Sequence, residues 1–376
     1  MITVNQTLYK MHISKLNEVY LKVETDSGLA RELSDYFTFE VPGARFMPAY
    51  RNKVWDGKIR LFSAQTGKIY VGLLSYVQQF CDTNEIQYII EDNLKDEKLN
   101  LQKDTTENFI KSLRPTSNGK LLELRDYQVD AVHSAIRKHR GLFLSPTASG
   151  KSLIIYALVR YYDILLGEQK VLILVPTTSL VEQMYSDFID YGWSDDYLHR
   201  IYTGHERDTN KSVVISTWQS LYKMKKPYFK QFGCVIGDEA HLFKAKSLTG
   251  IMTKLNKCKY RFGLTGTLDD TQTHRLVLEG LFGRSKYVIT TKDLIDNKTL
   301  ANLEINCIVL EHSTEDSQTV RDYDYAQELE FIVTKPERND FLVNLMGHFN
   351  GNTLCLFLFV EKHGKVLYDL LLDKYK

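Results

Sequence analysis

Hydrophobic and polar positions change rhythm along the chain. Over residues 1–97, short alternating runs at Val19–Val23, Lys58–Phe62 and Gln87–Ile90 predict strands, and apolar residues three and four apart at Leu29–Phe37 and Leu73–Asn84 predict helices. This reads as a small α+β accessory domain. The stretch Glu91 to Lys120 is polar and ends in Pro-Thr-Ser-Asn-Gly, so residues 98–120 are expected to be a linker. From Leu121 the apolar runs GLFLS, KVLILVP, SVVISTW, CVIGDE and YRFGLTGT alternate with longer helical patterns. Strands that apolar throughout must be buried on both faces, which predicts an α/β domain with a helix-covered parallel sheet over 121–290. In the remainder, 291–376, Leu303–Leu310 and TLCLFLFV predict strands, while Arg338–Phe349 and Gly364–Tyr375 predict helices.

Composition narrows the class. With 376 residues, 43% hydrophobic and 25% charged, the chain is a globular protein of two or three domains, not a disordered or fibrous one. Its five cysteines lack metal-ligand or redox spacing and read as reduced intracellular thiols. No apolar run reaches the length of about 18 residues that a membrane span needs, and no signal peptide is visible, so a cytoplasmic location is expected and no membrane partner. The net charge of +1 requires any nucleic-acid surface to be a local patch. Residues 1–97 hold 11 basic and 13 acidic side chains, yet 45–60 hold five basic ones (Arg45, Arg51, Lys53, Lys58, Arg60) and one acidic (Asp56), interleaved with Phe46, Tyr50 and Trp55. Concentrated cations beside stacking surfaces suit contact with branched or single-stranded DNA. A solvated basic hairpin with a buried Trp55 fits this stretch equally well. The cluster Lys223, Lys225, Lys226 and Lys230 reads as a solvated loop.

The stretch SPTASGKS, Ser145–Ser152, follows an apolar run and precedes a helical pattern, the strand, loop and helix context of a phosphate-binding loop. Thr147, Ser149 and Gly150 are candidates for a backbone cradle, Lys151 for the phosphate cation, and Ser152 for a Mg²⁺ ligand. Ser145 stands where the pattern usually has its first Gly. CVIGDEAH then places Asp238 and Glu239 at the end of another apolar run, where one carboxylate can hold Mg²⁺ and its neighbour can polarise an attacking water. Either motif alone has a plain reading, a turn or a pair of solvated acids. Both in order on strand ends predict ATP hydrolysis.

With LRDYQ (124–128), VPTTSLVEQ (175–183), STWQSL (216–221), DEAH (238–241) and LTGT (264–267), the ordered set resembles the first RecA-like domain of superfamily 2 helicases. The resemblance implies that Gln128 and Tyr127 read adenine, that Lys151, Ser152 and Asp238 bind phosphate and Mg²⁺, and that Glu239 is the catalytic base. It further implies that His241, Thr265 and Thr267 couple nucleotide state to nucleic acid, along a track of Thr177, Gln183, Thr217, Trp218 and Gln219. Tyr127 and Trp218 also fit as core aromatics, and Thr265 and Thr267 as turn caps. YRNKVWDGKIRLF (50–62) and FVEKHGKVLYDLL (359–371) are similar to phage UvsW-type helicases, ATP-dependent enzymes of branched recombination and replication intermediates and R-loops. That resemblance implies DNA, and RNA within R-loops, as partners, host-cell cytoplasm as the location, and Arg51, Lys53, Trp55, Lys58 and Arg60 as DNA contacts.

Under the same resemblance, 291–376 is the incomplete start of a second RecA-like domain. No Gln-x-x-Gly-Arg-x-x-Arg pattern follows DEAH, so a truncation, a split gene or a completing partner chain is expected. A second reading follows: a module that binds ATP and nucleic acid with little turnover. A nucleoside kinase shares the phosphate loop but leaves DEAH and LTGT without a role.

Overall fold

The computed structural model describes residues 10–94, 100–242, 245–268 and 272–375. Chain contacts divide it into two units, 1–301 and 302–376.

The first unit opens with β1 (Met11–Lys15) and β2 (Tyr20–Thr25), paired antiparallel, and α1 (Ser27–Tyr36), whose N-terminus is capped by Asp26 through Gly28 and Leu29 N–H. Next come β3 (Thr38–Glu40), the short α2 (Pro48–Arg51), β4 (Lys58–Arg60), β5 (Lys68–Tyr70), α3 (Leu74–Thr83) and β6 (Tyr88–Ile90). The accessory sheet has the order β5-β2-β1-β6, and β3 and β4 form a separate antiparallel pair. The segment expected as a linker instead carries helix α4 (Lys103–Leu113), followed by the hairpin β7 (Thr116–Ser117) and β8 (Lys120–Leu121). Its polarity is that of one exposed face. Ile110 is buried in the core, Thr106 bonds His133, and Lys103 pairs with Asp130.

The rest of the unit is the α/β domain: α5 (Asp126–Lys138), β9 (Arg140–Leu144), α6 (Lys151–Leu166), β10 (Lys170–Val175), α7 (Thr178–Asp190), β11 (Leu198–Ile201), β12 (Val213–Thr217), α8 (Trp218–Leu221), β13 (Phe232–Gly237), α9 (Ala245–Met252), β14 (Tyr260–Thr265), α10 (Gln272–Phe282), β15 (Ser285–Tyr287) and α11 (Thr291–Asp296). Among the described residues the sheet has seven strands, all parallel, in the order β11-β12-β10-β13-β14-β9-β15. This is the helix-covered parallel sheet that the apolar runs predict. The edge strands β11 and β15 carry too few apolar residues to announce themselves.

The accessory sheet and the α/β domain share one hydrophobic core, in which Ile13, Leu21 and Ile69 join Leu142, Leu172 and Phe282. Their join is polar at one point. Glu279 on α10 is fully buried and accepts from Tyr76 Oη at 2.5 Å, Arg275 Nε at 3.2 Å and Ser285 N at 3.1 Å. Burial alone raises a carboxyl, but the bonds from Ser285, Tyr76 and Arg275 hold Glu279 below its ordinary value. Gly72 and Gly280 allow the close approach, since a Cβ on Gly72 would overlap the Glu279 carbonyl oxygen.

In the second unit, the exposed α12 (Thr314–Thr319) is tied on by the Asp316–Lys335 ion pair, while α13 (Tyr325–Thr334), α14 (Pro336–Gly347) and α15 (Lys365–Lys374) pack through Val333, Val343 and Leu367. The expected strands at 303–310 and 353–360 do not form. These apolar runs have no partner strand among the described residues, and Leu303, Ile305, Leu354 and Leu356 are exposed. No helix among the described residues is long and apolar enough to cross a membrane.

Gly72→Ala is expected to destabilise the first unit by about 1–3 kcal/mol, because backbone on both sides must yield. Thermal unfolding checks this; an unchanged midpoint would show that the two sheets do not rely on this contact.

Candidate functional site

The carboxyl ends of parallel strands form the natural crevice of such a sheet. Here the ends of β12, β10, β13, β14 and β9 lie in that order, so topology alone places Thr217–Gln219, Thr177, Asp238–Glu239, Thr265 and the Ser145–Ser152 loop along one edge.

The loop between β9 and α6 is tied down from three directions. Ser145 N donates to Thr265 O at 2.8 Å, and the Ser145 and Ser149 hydroxyls lie 2.6 Å apart. The Ser149 carbonyl accepts from Gln128 Nε2 at 2.9 Å and from Tyr127 Oη at 3.1 Å. Ala148 (φ 65°) and Gly150 (φ 76°) are left-handed, and a Cβ on Gly150 would overlap the Gln128 amide, so only glycine fits there. Gln128 Oε1 accepts from Arg125 N at 2.8 Å. The amide expected to read adenine therefore already braces the phosphate loop, with one N–H left over. Thr147 is exposed at the loop tip.

Lys151 Nζ lies 3.0 Å from Glu239 Oε1, and Glu239 Oε2 lies 3.5 Å from His241 Nδ1. Glu239 has φ 46°, a strained setting for a non-glycine residue, and its N–H donates to Asp238 Oδ1 at 2.9 Å. The His241 ring nitrogen is 2.5 Å from Thr265 Oγ1, which donates its own proton to Thr267 O at 2.8 Å. The Thr265 proton being committed, Nδ1 is the donor, which fixes the His241 tautomer. Asp238 is pushed up to about 6, first by burial and then by the charge of Glu239, while Lys151 pulls it down. Two carboxylates facing one ammonium leave this pocket short of positive charge. The Ser152 hydroxyl lies near Asp187 and Tyr191, and burial raises the Asp187 carboxyl.

Thr177 caps α7 through Leu180 N at 3.3 Å. Gln219 Nε2 donates to Pro176 O at 3.2 Å, so the ends of β10 and β12 are joined. Gln183 is exposed, Thr217 is buried against Ser220, and Trp218 is half-buried against the core. The basic residues of 45–60 lie apart from this edge on the excursion between β3 and β4. Trp55 Nε1 donates to Lys58 O at 2.8 Å, Arg60 pairs with Asp56 at 2.5 Å, and Lys58 is 4.0 Å from Glu40. Ser145, Arg125 and Asp187 escaped sequence reasoning. Ser145 alone carried a signal, as the departure from the glycine pattern.

Residues 10–91 match the family of the N-terminal region of the DNA helicase UvsW, and 121–270 match the res subunit of type III restriction enzymes. The ATP-dependent DNA helicase uvsW of Enterobacteria phage T4 is 33% identical over 374 residues, 97% of this chain and 73% of that protein. The chain belongs to the UvsW family of helicases. A crystal structure of T4 UvsW superposes with TM-score 0.70 at 31% identity, over 98% of this chain and 73% of that one. Another of the T4 UvsW helicase gives 0.69 at 34% identity, over 74% of this chain and 99% of that one. DNA 3'-5' translocase XPB2 of Sulfurisphaera tokodaii is 32% identical over 171 residues, 45% of this chain and 37% of that protein. This UvsW-family chain thus has an α/β helicase domain that uses nucleotide, with the accessory domain of its family ahead of it.

The buried Asp238 gives a signed expectation. Its folded value near 6 exceeds the ordinary 3.8, so the folded state holds the proton more tightly. The stability this confers is present below 3.8 and is lost as pH rises through 6. Asp238→Asn, neutral throughout, is expected to melt higher than the parent at pH 8 and no higher at pH 4. Calorimetry without nucleotide or metal checks it; equal midpoints at pH 8 would contradict the raised value.

Proposed function

We propose that this chain is an ATP-driven DNA helicase or translocase of branched DNA, meaning forks, Holliday junctions and R-loops, in phage recombination and replication. The observation that supports the reading is the Lys151–Glu239–His241–Thr265 chain, which joins the phosphate loop after β9 to the ends of β13 and β14, on the same sheet edge as Thr177 after β10 and Thr217 on β12. In this reading 1–97 is the DNA-binding accessory domain, 121–290 the motor, and 291–376 the start of a second motor domain.

The amides of 148–152 and the N-terminus of α6 face the phosphates, and Lys151 neutralises them. Glu239, released from Lys151, accepts the proton of the attacking water, with His241 beside its second oxygen. The unmet negative charge of Asp238 and Glu239 suits a divalent cation. Asp238 would hold Mg²⁺, joined by Ser152 once it leaves Asp187. A divalent cation held there would supply positive charge against that developing on the phosphate oxygens. Gln128 and Tyr127 carry the adenine side to the loop through Ser149 O, and Thr267 completes the coupling to Thr265. Thr177, Gln183, Thr217, Trp218 and Gln219 line a sequence-independent DNA track, and Arg51, Lys53, Trp55, Lys58 and Arg60 add a second contact.

Steady-state ATP hydrolysis with and without forked DNA tests the proposal. Turnover is expected to rise with DNA and to vanish in Lys151→Ala, while Glu239→Gln binds nucleotide but loses about 10²–10⁴ in rate. Nucleotide and DNA binding without turnover in the parent chain would replace this reading with a binding module. Turnover that survives Lys151→Ala would remove the site assignment.

A further inference from the structure

Residues 41–57 leave β3 and return to β4 as a knob with almost no interior. Ala44 is its buried apolar residue, and Gly57 lies against Ala44 and the Tyr50 ring. The backbone is nevertheless closely determined. Gly43 and Gly57 are left-handed, Lys53 accepts the same conformation at φ 54°, and Pro48 starts α2. The Trp55 bond to Lys58 O and the Asp56–Arg60 pair close the base. Burial cannot explain this order, because the large apolar side chains point outward: Phe46 is 62% exposed, Met47 43%, Tyr50 41% and Val54 82%. Arg45 lies over the Phe46 ring at 4.9 Å, and Arg45, Tyr50, Arg51, Lys53, Val54 and Trp55 border one groove, with Asp56, held by Arg60, at its edge. The cations that close the base, Lys58 and Arg60, have acidic neighbours. Arg45, Arg51 and Lys53 at the tip have no ion pair among the described residues.

We propose that this knob is a strand-parting pin, in which Phe46, Met47 and Val54 stack on the last base pair at a DNA branch point while Arg45, Arg51 and Lys53 hold the phosphates of the diverging strands. The inference rests on the reading of this segment as a DNA contact and adds which DNA feature it takes. Exposed apolar side chains beside cations without ion pairs among the described residues fit a site where base faces and phosphates are exposed together. Intact duplex keeps its base faces stacked, so an apolar wedge entering it must first open a base step, whereas a branch point already exposes the face of its last pair. A free single strand offers stacking without the fixed fork geometry that would use a preset tip.

The test uses the full chain without nucleotide and a fork carrying 2-aminopurine at the last paired position. Saturating protein is expected to raise its fluorescence, and an identical base inside a linear duplex is expected to stay dark. Phe46→Ser with Val54→Ser is expected to abolish the rise at saturation and to lower the ratio of fork to linear-duplex affinity about tenfold. Both side chains are solvent-facing, and a melting curve matching the parent confirms the fold. Arg51→Ser with Lys53→Ser is expected to weaken fork and duplex alike and to reduce the salt slope by about two, leaving the rise at saturation. A bright branch point in the Phe46 and Val54 variant, or a dark one in the saturated parent, overturns the pin. A dark branch point alongside normal DNA-stimulated ATP turnover overturns the pin alone, whereas failure to bind any DNA overturns the underlying reading with it. Capture by phosphatidylserine vesicles at the affinity of the fork would overturn it in favour of a membrane surface.

Discussion

The nucleotide site is organised around a charge imbalance. Strand β13 delivers Asp238 to a buried position and the left-handed turn at Glu239 sets a second carboxyl beside it, with Lys151 as the ammonium that reaches them. Burial first, and then the charge of Glu239, push Asp238 up to about 6. The rest of the edge is arranged to hold this cluster in place. β14 lies between β13 and β9, so Thr265 touches the acid side through His241 and the phosphate loop through its own carbonyl. A change in charge at Glu239 is therefore felt within a few bonds by both neighbours.

In the proposed motor, the parts assigned to DNA must move with the nucleotide site. The accessory sheet meets that requirement by sharing its core with the α/β domain and by closing on α10 through Tyr76 and the buried Glu279. Arg140, at the start of β9, reaches back to the Glu18 carbonyl at 3.2 Å. The strand that feeds the phosphate loop is thereby tied to the sheet from which the β3–β4 knob projects.

Much of this was legible in the sequence because it is written in local pattern. Continuous apolar runs announced β9, β10, β12, β13 and β14, each buried on two faces, and the motif residues at their ends fell into one crevice as parallel topology requires. What was illegible depends on partners distant in sequence. Helix α4 looks like a linker because only Ile110 and Thr106 of its polar surface are buried. The runs at 303–310 and 354–360 have strand-like composition, but a strand exists only against another strand. Nothing in the sequence signals that Gln128 also holds the Ser149 carbonyl, or that Asp187 lies beside Ser152. The tip of the knob signalled its charge and its interleaved aromatics, but not that Met47 and Val54 face outward, since an apolar residue in a short basic segment gives no sign of its exposure.

Isothermal titration of a non-hydrolysable ATP analogue, with and without Mg²⁺ at pH 7.5, tests the charge account most directly. The account predicts binding that depends strongly on Mg²⁺ in the parent chain and becomes largely independent of it in Asp238→Asn. Equal affinity with and without Mg²⁺ in the parent would contradict it.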